Sequence, residues 1–318
     1  MELHIIRNAA FRNNAAKRFI FPHSFTNLCL FICHGITPSL RRNSTTGPGG
    51  GQHRKGVFTT YACDYLENGI LNALRGVTFA APAKCYLALY LNDPGESGTA
   101  GTEVSYTGYK RMEIDFSAPA DSNGGIGVQN LTDITFPTPV SAAGTITHIG
   151  VVDSLTGGNM LARGELVEPL IIGAEEPPVF LAGDVLFYLT GNLSKAWKTK
   201  VLNILRGNSI QGITPYFSLW NGSPESSGSE LSGDNYQRVP LTFGAPTEQT
   251  SGQIIARNSQ AAAFPRPSTA WGTWTYSALY SAETSGEPVY IKPLTESVEL
   301  KRGYMPTIAE GAVEVGIN

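Results

Sequence analysis

From residue 65 onward, apolar side chains at Tyr65, Leu66, Ile70, Leu71 and Leu74 recur at helical spacing, and Gly76 comes just after the last of them. Such spacing collects them on one face, and a glycine just past the periodic stretch is a stop signal. The same signature returns at Trp197, Val201, Leu202 and Leu205 before Gly207. Two short amphipathic helices are predicted. The chain after each helix runs mostly in short β-branched or aromatic segments: "CYLALYL" (Cys85–Leu91), "RMEIDFSA" (Arg111–Ala118), "GTITHIGVVD" (Gly144–Asp153) and "GDVLFYLT" (Gly183–Thr190). Clusters of Gly, Pro, Asn and Asp bound these segments, which makes them strands joined by turns, and such strands in series favour an antiparallel sandwich.

The two helical signatures belong to a longer internal match. "LNALRG" (Leu71–Gly76) lies over "LNILRG" (Leu202–Gly207), and "YLALY" (Tyr86–Tyr90) over "YFSLW" (Tyr216–Trp220). "GTEVS" falls over "GSELS", "GYKRMEIDFSAP" over "NYQRVPLTFGAP", "FPTP" over "FPRP" and "GTIT" over "GTWT", always in the same order. A constant offset of about 130 residues is a domain copied once, because solenoid repeats are far shorter. The predicted architecture is mainly β: two tandem antiparallel β-sandwich (jelly-roll-like) domains, each preceded by a short amphipathic helix. Its expected boundaries are 57–191 for the first copy and 192–318 for the second, diverged copy.

Composition agrees with this class and singles out the first 56 residues. Of 318 residues, 42% are apolar and only 15% charged, with 35 Gly and 20 Pro. The net charge of −3 conceals an imbalance: residues 1–56 carry eight Lys/Arg against Glu2 alone, and the remainder carries 15 basic against 25 acidic residues. An acidic body has no electrostatic footprint for nucleic acid. The basic stretch holds four of the five histidines and no sustained periodicity. A targeting peptide, a disordered arm and an extension upstream of a true start near Val57 compete for it. The abrupt change at Val57, and the lack of any methionine between Met1 and Met112, favour the last. Apolar runs such as Leu28–Cys33 are far below the ~20 residues a membrane helix needs, so no membrane insertion is expected. Cys29, Cys33, Cys63 and Cys85 are too few and too irregular for a disulfide framework or zinc site, and Cys63 and Cys85 read as small buried apolar residues.

The first copy resembles a domain family of tailed bacteriophages, found in tail fibres and other virion structural proteins. The resemblance is carried by "LYLNDPGESGTAGTEVSYTGYKRMEIDF" (Leu89–Phe116), "ITFPTP" (Ile134–Pro139), "GTITHIGVVDSLTGGNMLARGEL" (Gly144–Leu166) and "AGDVLFY" (Ala182–Tyr188). The second copy keeps "YFSLWNGSPESSGSELS", "NYQR", "FPRP" and "WGTWTYSALY", but loses the Gly-Gly-Asn turn and the Asp after the central strand. The resemblance implies a structural role in the virion, repeated around a symmetric assembly: a homo-oligomer in contact with other virion proteins. It supplies no catalytic residues.

Enzyme signatures are missing from the two copies. His148 is their one histidine, and its counterpart is Tyr276, so no Ser-His-Asp or Cys-His site can be common to both. Paired carboxylates such as Glu175–Glu176, or Asp115 with Asp133, would be needed by a depolymerase-type hydrolase, but any acidic protein offers such pairs. No phosphate-binding glycine motif is present, and no cofactor or metal is expected. The oxygen-rich loops Asn92–Glu103 and Asn221–Asp234 read as turns before they read as calcium sites. Tyr109 with Arg111, and Tyr236 with Arg238, form the one polar and aromatic pair kept at one spacing in both copies. An Arg stacked on Tyr and fixing a loop accounts for them, as does a ligand contact. Trp271, Trp274 and Tyr276 replace Ala143, Ile146 and His148 of the first copy. Trp274, Tyr276 and Tyr280 alternate and so fall on one strand face. With Trp220 they are the candidate carbohydrate-binding residues for host surface glycans, and core packing is the competing explanation.

Overall fold

The computed structural model describes residues 57–317; the basic segment before Val57, with the three readings offered for it, lies outside them. The first copy comprises β1 (Val57–Ala62), α1 (Asp64–Ala73), β2 (Cys85–Tyr90), β3 (Met112–Ile114), β4 (Ala120–Ser122), β5 (Gly125–Gln129), β6 (Ile134–Thr135), β7 (Gly144–Val152), β8 (Met160–Ile172), β9 (Val179–Phe180) and β10 (Leu186–Leu189). The second comprises α2 (Lys195–Ile204), β11 (Tyr216–Asn221), β12 (Ser229–Glu230), β13 (Val239–Pro240), β14 (Thr247–Glu248), β15 (Ile254–Arg257), β16 (Ala262–Ala263), β17 (Gly272–Tyr280), β18 (Pro288–Leu300), β19 (Thr307–Ile308) and β20 (Glu314–Gly316).

Every strand pair is antiparallel, and the two copies repeat one plan. A five-stranded sheet in the order β1-β8-β7-β2-β3 has its counterpart in β12-β11-β17-β18, with β13 also on β11. A three-stranded sheet β10-β5-β4 corresponds to β14-β15-β20, and the pair β6-β9 to β16-β19. The apolar residues between the sheets form one core that runs through both copies, from Leu66 and Phe136 to Trp274 and Val315.

Both helices form where the spacing predicts. Leu66, Ile70, Leu71 and Leu74 are buried on α1, and Trp197, Val201, Leu202 and Leu205 on α2, whereas Tyr65 stays 40% exposed. Each helix closes in a Schellman arrangement: Gly76 donates to Ala73 and Val77 to Asn72, as Gly207 donates to Ile204 and Asn208 to Asn203. The turn needs a left-handed residue, and Gly76 (φ 80°) and Gly207 (φ 84°) supply it without a Cβ clash.

The helices also join the copies. α1 packs on β8 of its own copy and on β15 and β20 of the other, while α2 packs on β18 of its own copy and on β5 of the other. Arg75 donates from Nε to the Phe243 carbonyl (3.3 Å), and its counterpart Arg206 donates to the Phe116 carbonyl (3.3 Å). Phe79 and Ile210 occupy equivalent positions and pair with each other through both backbone N–H groups, at 2.9 and 3.0 Å. Equivalent residues meeting each other, and reciprocal contacts around them, are the signature of an internal two-fold axis.

Candidate functional site

Two features of the repeat carry candidate chemistry: the Tyr and Arg pair kept in both copies, and the aromatic residues peculiar to the second. Tyr109 and Arg111 lie beside β3, and both converge on Glu103. The Tyr109 hydroxyl donates to Glu103 Oε1 (3.0 Å), and Arg111 binds the carboxylate through Nε and Nη2 at 2.9 and 2.8 Å. Arg111 Nη1 reaches the carbonyls of Ser154 and Gly157 at 2.8 and 2.6 Å, which ties down the loop between β7 and β8. The second copy reproduces this with Tyr236, Arg238 and Glu230, and Arg238 Nη1 holds the carbonyls of Ala282 and Ser285 at 3.0 and 2.7 Å. The Tyr hydroxyls also accept the N–H of Leu89 and of Leu219. Burial raises both phenol pKa values, and the neighbouring glutamate adds to the shift.

Loop fixing is what these arginines do, but not by stacking on the tyrosine two residues away. The organising partner is a glutamate. Its signal was present in the aligned "GTEVS" and "GSELS", whose Glu103 and Glu230 coincide, yet spacing alone did not connect it to Arg111 across a turn. The repeated Phe of "FPTP" and "FPRP" completes the arrangement: Tyr109 stacks on Phe136 at 6.1 Å, and Tyr236 on Phe264 at 6.1 Å. A further repeated device is a buried asparagine. Asn130 accepts the Val185 N–H and donates to the carbonyls of Thr132 and Leu181; Asn258 does the same with Val313, Gln260 and Ala309.

The aromatic residues divide between two environments. Trp271 (4% exposed) and Trp274 (1%) are core side chains whose indole N–H groups donate to Asp234 O and Tyr276 O. Trp271 meets Tyr236 edge-on at 5.2 Å, and Trp274 meets Phe217 at 6.4 Å. Neither presents a ring to a ligand. The single face expected for Trp274, Tyr276 and Tyr280 does not form, because a β-bulge between Trp274 and Tyr276 breaks the alternation. The first copy has the same bulge between Ile146 and His148.

Beyond the bulge, Tyr276 and Trp220 face each other across β17 and β11 and are partly buried on the opposite side of the sheet. Trp220 stacks flat on Tyr280 (5.8 Å, 2° between planes), and the Arg238 guanidinium lies 3.6 Å from the Tyr280 ring centre. Burial pushes the Tyr280 phenol up to about 12. This surface therefore sits directly on the Arg238–Glu230 clamp. His148 occupies the corresponding place opposite Tyr90, with its Nδ1 2.9 Å from the Thr147 hydroxyl.

Several of the other acidic side chains are engaged within the fold. Asp93 and Glu96 are held by Arg163 at 2.8 and 2.5 Å, and the Asn92 side chain accepts the Thr102 N–H. Asp234 accepts the N–H groups of Ser268 and Thr269 and the Thr269 hydroxyl. Asp133 accepts the Ala182 N–H, and Glu175 lies in a tight turn at φ 65°. Among the described residues no three His, Cys, Asp or Glu side chains gather as a metal cluster, and no helix is long and apolar enough to cross a membrane. Cys63 and Cys85 are buried, and burial raises both thiol pKa values, that of Cys85 to about 12.

Compared with protein-family models, the chain matches the podophage GP4 fiber I protein gp80 family twice, over residues 61–187 and 192–316. The chain belongs to this podophage fibre family. The fibre domain is thus matched once per copy, and the protein is a structural component of the phage virion. No curated protein sequence matches the chain significantly.

Proposed function

We propose that residues 57–191 and 192–318 are tandem copies of one fibre domain and that the protein works by assembly rather than by catalysis. In this reading a homo-oligomer, joined to other virion proteins, forms part of a tail fibre or related appendage. The observation that carries it is where the repeated polar residues point. Glu103, Tyr109, Arg111 and Asn130, with Glu230, Tyr236, Arg238 and Asn258, all bond to one another or to backbone. Residues retained through the duplication build loops, which suits a scaffold and leaves no shared reactive group.

Light scattering on the full chain tests the assembly. A trimer, hexamer or larger closed ring is the expected result, since virion appendages are symmetric. A monomer at every concentration would remove the homo-oligomer from the reading.

One observation favours a second role, attachment to host surface glycans. Trp220 and Tyr276 are aromatic, partly exposed and braced from below by Tyr280 and Arg238, and aromatic faces of this kind stack on sugars. Glycans from the host surface should quench or shift the tryptophan fluorescence, and Trp220→Ala should abolish the change. An unchanged titration in that variant would dismiss this face.

A further inference from the structure

The internal two-fold axis allows each position of the second copy to be compared with its equivalent in the first, and the surroundings of the two helices differ. On α1, Gly69 leaves room for the Phe79 ring: a Cβ there would come within 2.4 Å of Phe79 Cδ2. Tyr65 closes over the same ring edge-on at 5.5 Å. The space beside α1 is thus plugged by Phe79. In the second copy the equivalents of Tyr65, Gly69 and Phe79 are Ala196, Lys200 and Ile210. The aromatic plug is gone, and a groove of about 420 Å³ lies beside α2.

The groove is lined by polar side chains of several kinds. Lys200 and Arg206 bring two cations, Asn203, Asn208 and Gln211 bring amides, and Ser209 a hydroxyl. Arg206 engages the Phe116 carbonyl through Nε and Asn203 through Nη1. Lys200 is half exposed, pairs with Glu287 and lies over the Trp197 ring at 5.7 Å. Trp197 lines the groove, is 1% exposed, and its Nε1 has no hydrogen-bond partner among the described residues.

We propose that this groove is a binding subsite for an acidic saccharide, whose carboxylate meets Lys200 and Arg206 and whose hydroxyls meet the amides and Ser209. The inference rests on the attachment reading above but places contact at a different surface. A guanidinium and an ammonium lining one groove each recognise a carboxylate, which at Lys200 would take the place of Glu287. Amide and hydroxyl groups both donate and accept, as sugar hydroxyls do, and the volume falls within the usual range for small-molecule sites. Trp197 is too buried to offer its ring face or its indole N–H, so it serves as the wall of the groove rather than as a contact.

Isothermal titration of the full chain with digalacturonic acid tests this, with its methyl ester and inorganic phosphate as controls. The acid is expected to bind, the neutral ester at least tenfold more weakly, and phosphate not measurably. Lys200→Gln should weaken the acid about tenfold, roughly 1.4 kcal/mol. Lys200→Gly with Ile210→Phe recreates the plug and should abolish binding with the thermal unfolding midpoint retained. No binding of the acid by the wild type, equal binding of acid and ester, or equal binding of phosphate would each overturn the proposal. So would a folded plug variant that still binds. Host glycans that bind the plug variant but not Trp220→Ala would overturn the groove while leaving host attachment intact, and a monomer in light scattering would bear on assembly alone.

Discussion

At the scale of single residues, the polar side chains kept through the duplication tie loops to the sheets. Arg238 has a side chain only 9% exposed and depends on Glu230, itself 24% exposed. Removing one partner of a largely desolvated pair leaves the other charge uncompensated, so Glu230→Ala should cost about 3 kcal/mol. Chemical denaturation would read that loss, and hydrogen exchange should show faster opening of residues 281–287, where Arg238 holds the carbonyls of Ala282 and Ser285. A loop that exchanges as slowly as in the wild type would mean that Arg238 is held by other contacts. Glu67 offers a test by pH. It is 3% exposed on α1, and burial together with the Glu96 and Asp64 charges raises its pKa from 4.5 to about 7. The folded state therefore holds a proton that the unfolded chain releases above its own lower pKa. Its contribution to stability is complete below about pH 4.5 and is lost as pH rises towards 7, a change of about 3 kcal/mol. Glu67→Gln should flatten the pH dependence over that window and leave the protein more stable than the wild type at pH 8. An unaltered pH profile would show that Glu67 is not the titrating group.

At the scale of elements, the helices were legible and their surroundings were not. The 3.6-residue period of Leu66, Ile70, Leu71 and Leu74 identifies a buried face, but a period says nothing about which sheet covers it. The cover comes partly from the other copy. Gly69 illustrates the consequence. In an isolated helix Gly→Ala would be stabilising by about 1 kcal/mol. Here the added Cβ meets the Phe79 ring at 2.4 Å, so Gly69→Ala should instead destabilise by about 1–3 kcal/mol in a denaturant titration. A gain in stability would mean that the ring moves aside freely. The strands divide in the same way. The runs in β2, β7 and β10 announced themselves, whereas the bulge after Trp274 did not. There β17 advances two residues while β18 advances five, which reverses the inward and outward alternation, and only pairing with the neighbouring strand fixes where that happens. For that reason Trp274 entered the core and Tyr276 did not.

At the scale of the whole molecule, two sandwiches with a common core and reciprocal helices should not unfold separately. All four tryptophans, Trp197, Trp220, Trp271 and Trp274, belong to the second copy, so their fluorescence reports on that copy alone. Asn130 lies in the first copy, 1% exposed, with three hydrogen bonds. Asn130→Ala should lower stability by about 3 kcal/mol, and the tryptophan transition should move together with the far-UV circular dichroism. A tryptophan transition that stays in place would show that the copies unfold independently. The duplication, the β class, the two helices with their glycine stops, and the family could all be read from the order of amino acids, because they reside in local periodicity and in residue identity at a fixed offset. Folding in three dimensions added that each helix packs on the other copy, that Glu103 and Glu230 meet the paired Tyr and Arg, that Trp271 and Trp274 are buried, and that a groove opens beside α2 where Phe79 fills its counterpart. Each of these depends on contacts between segments far apart in the chain, and no local pattern records which distant segment will arrive.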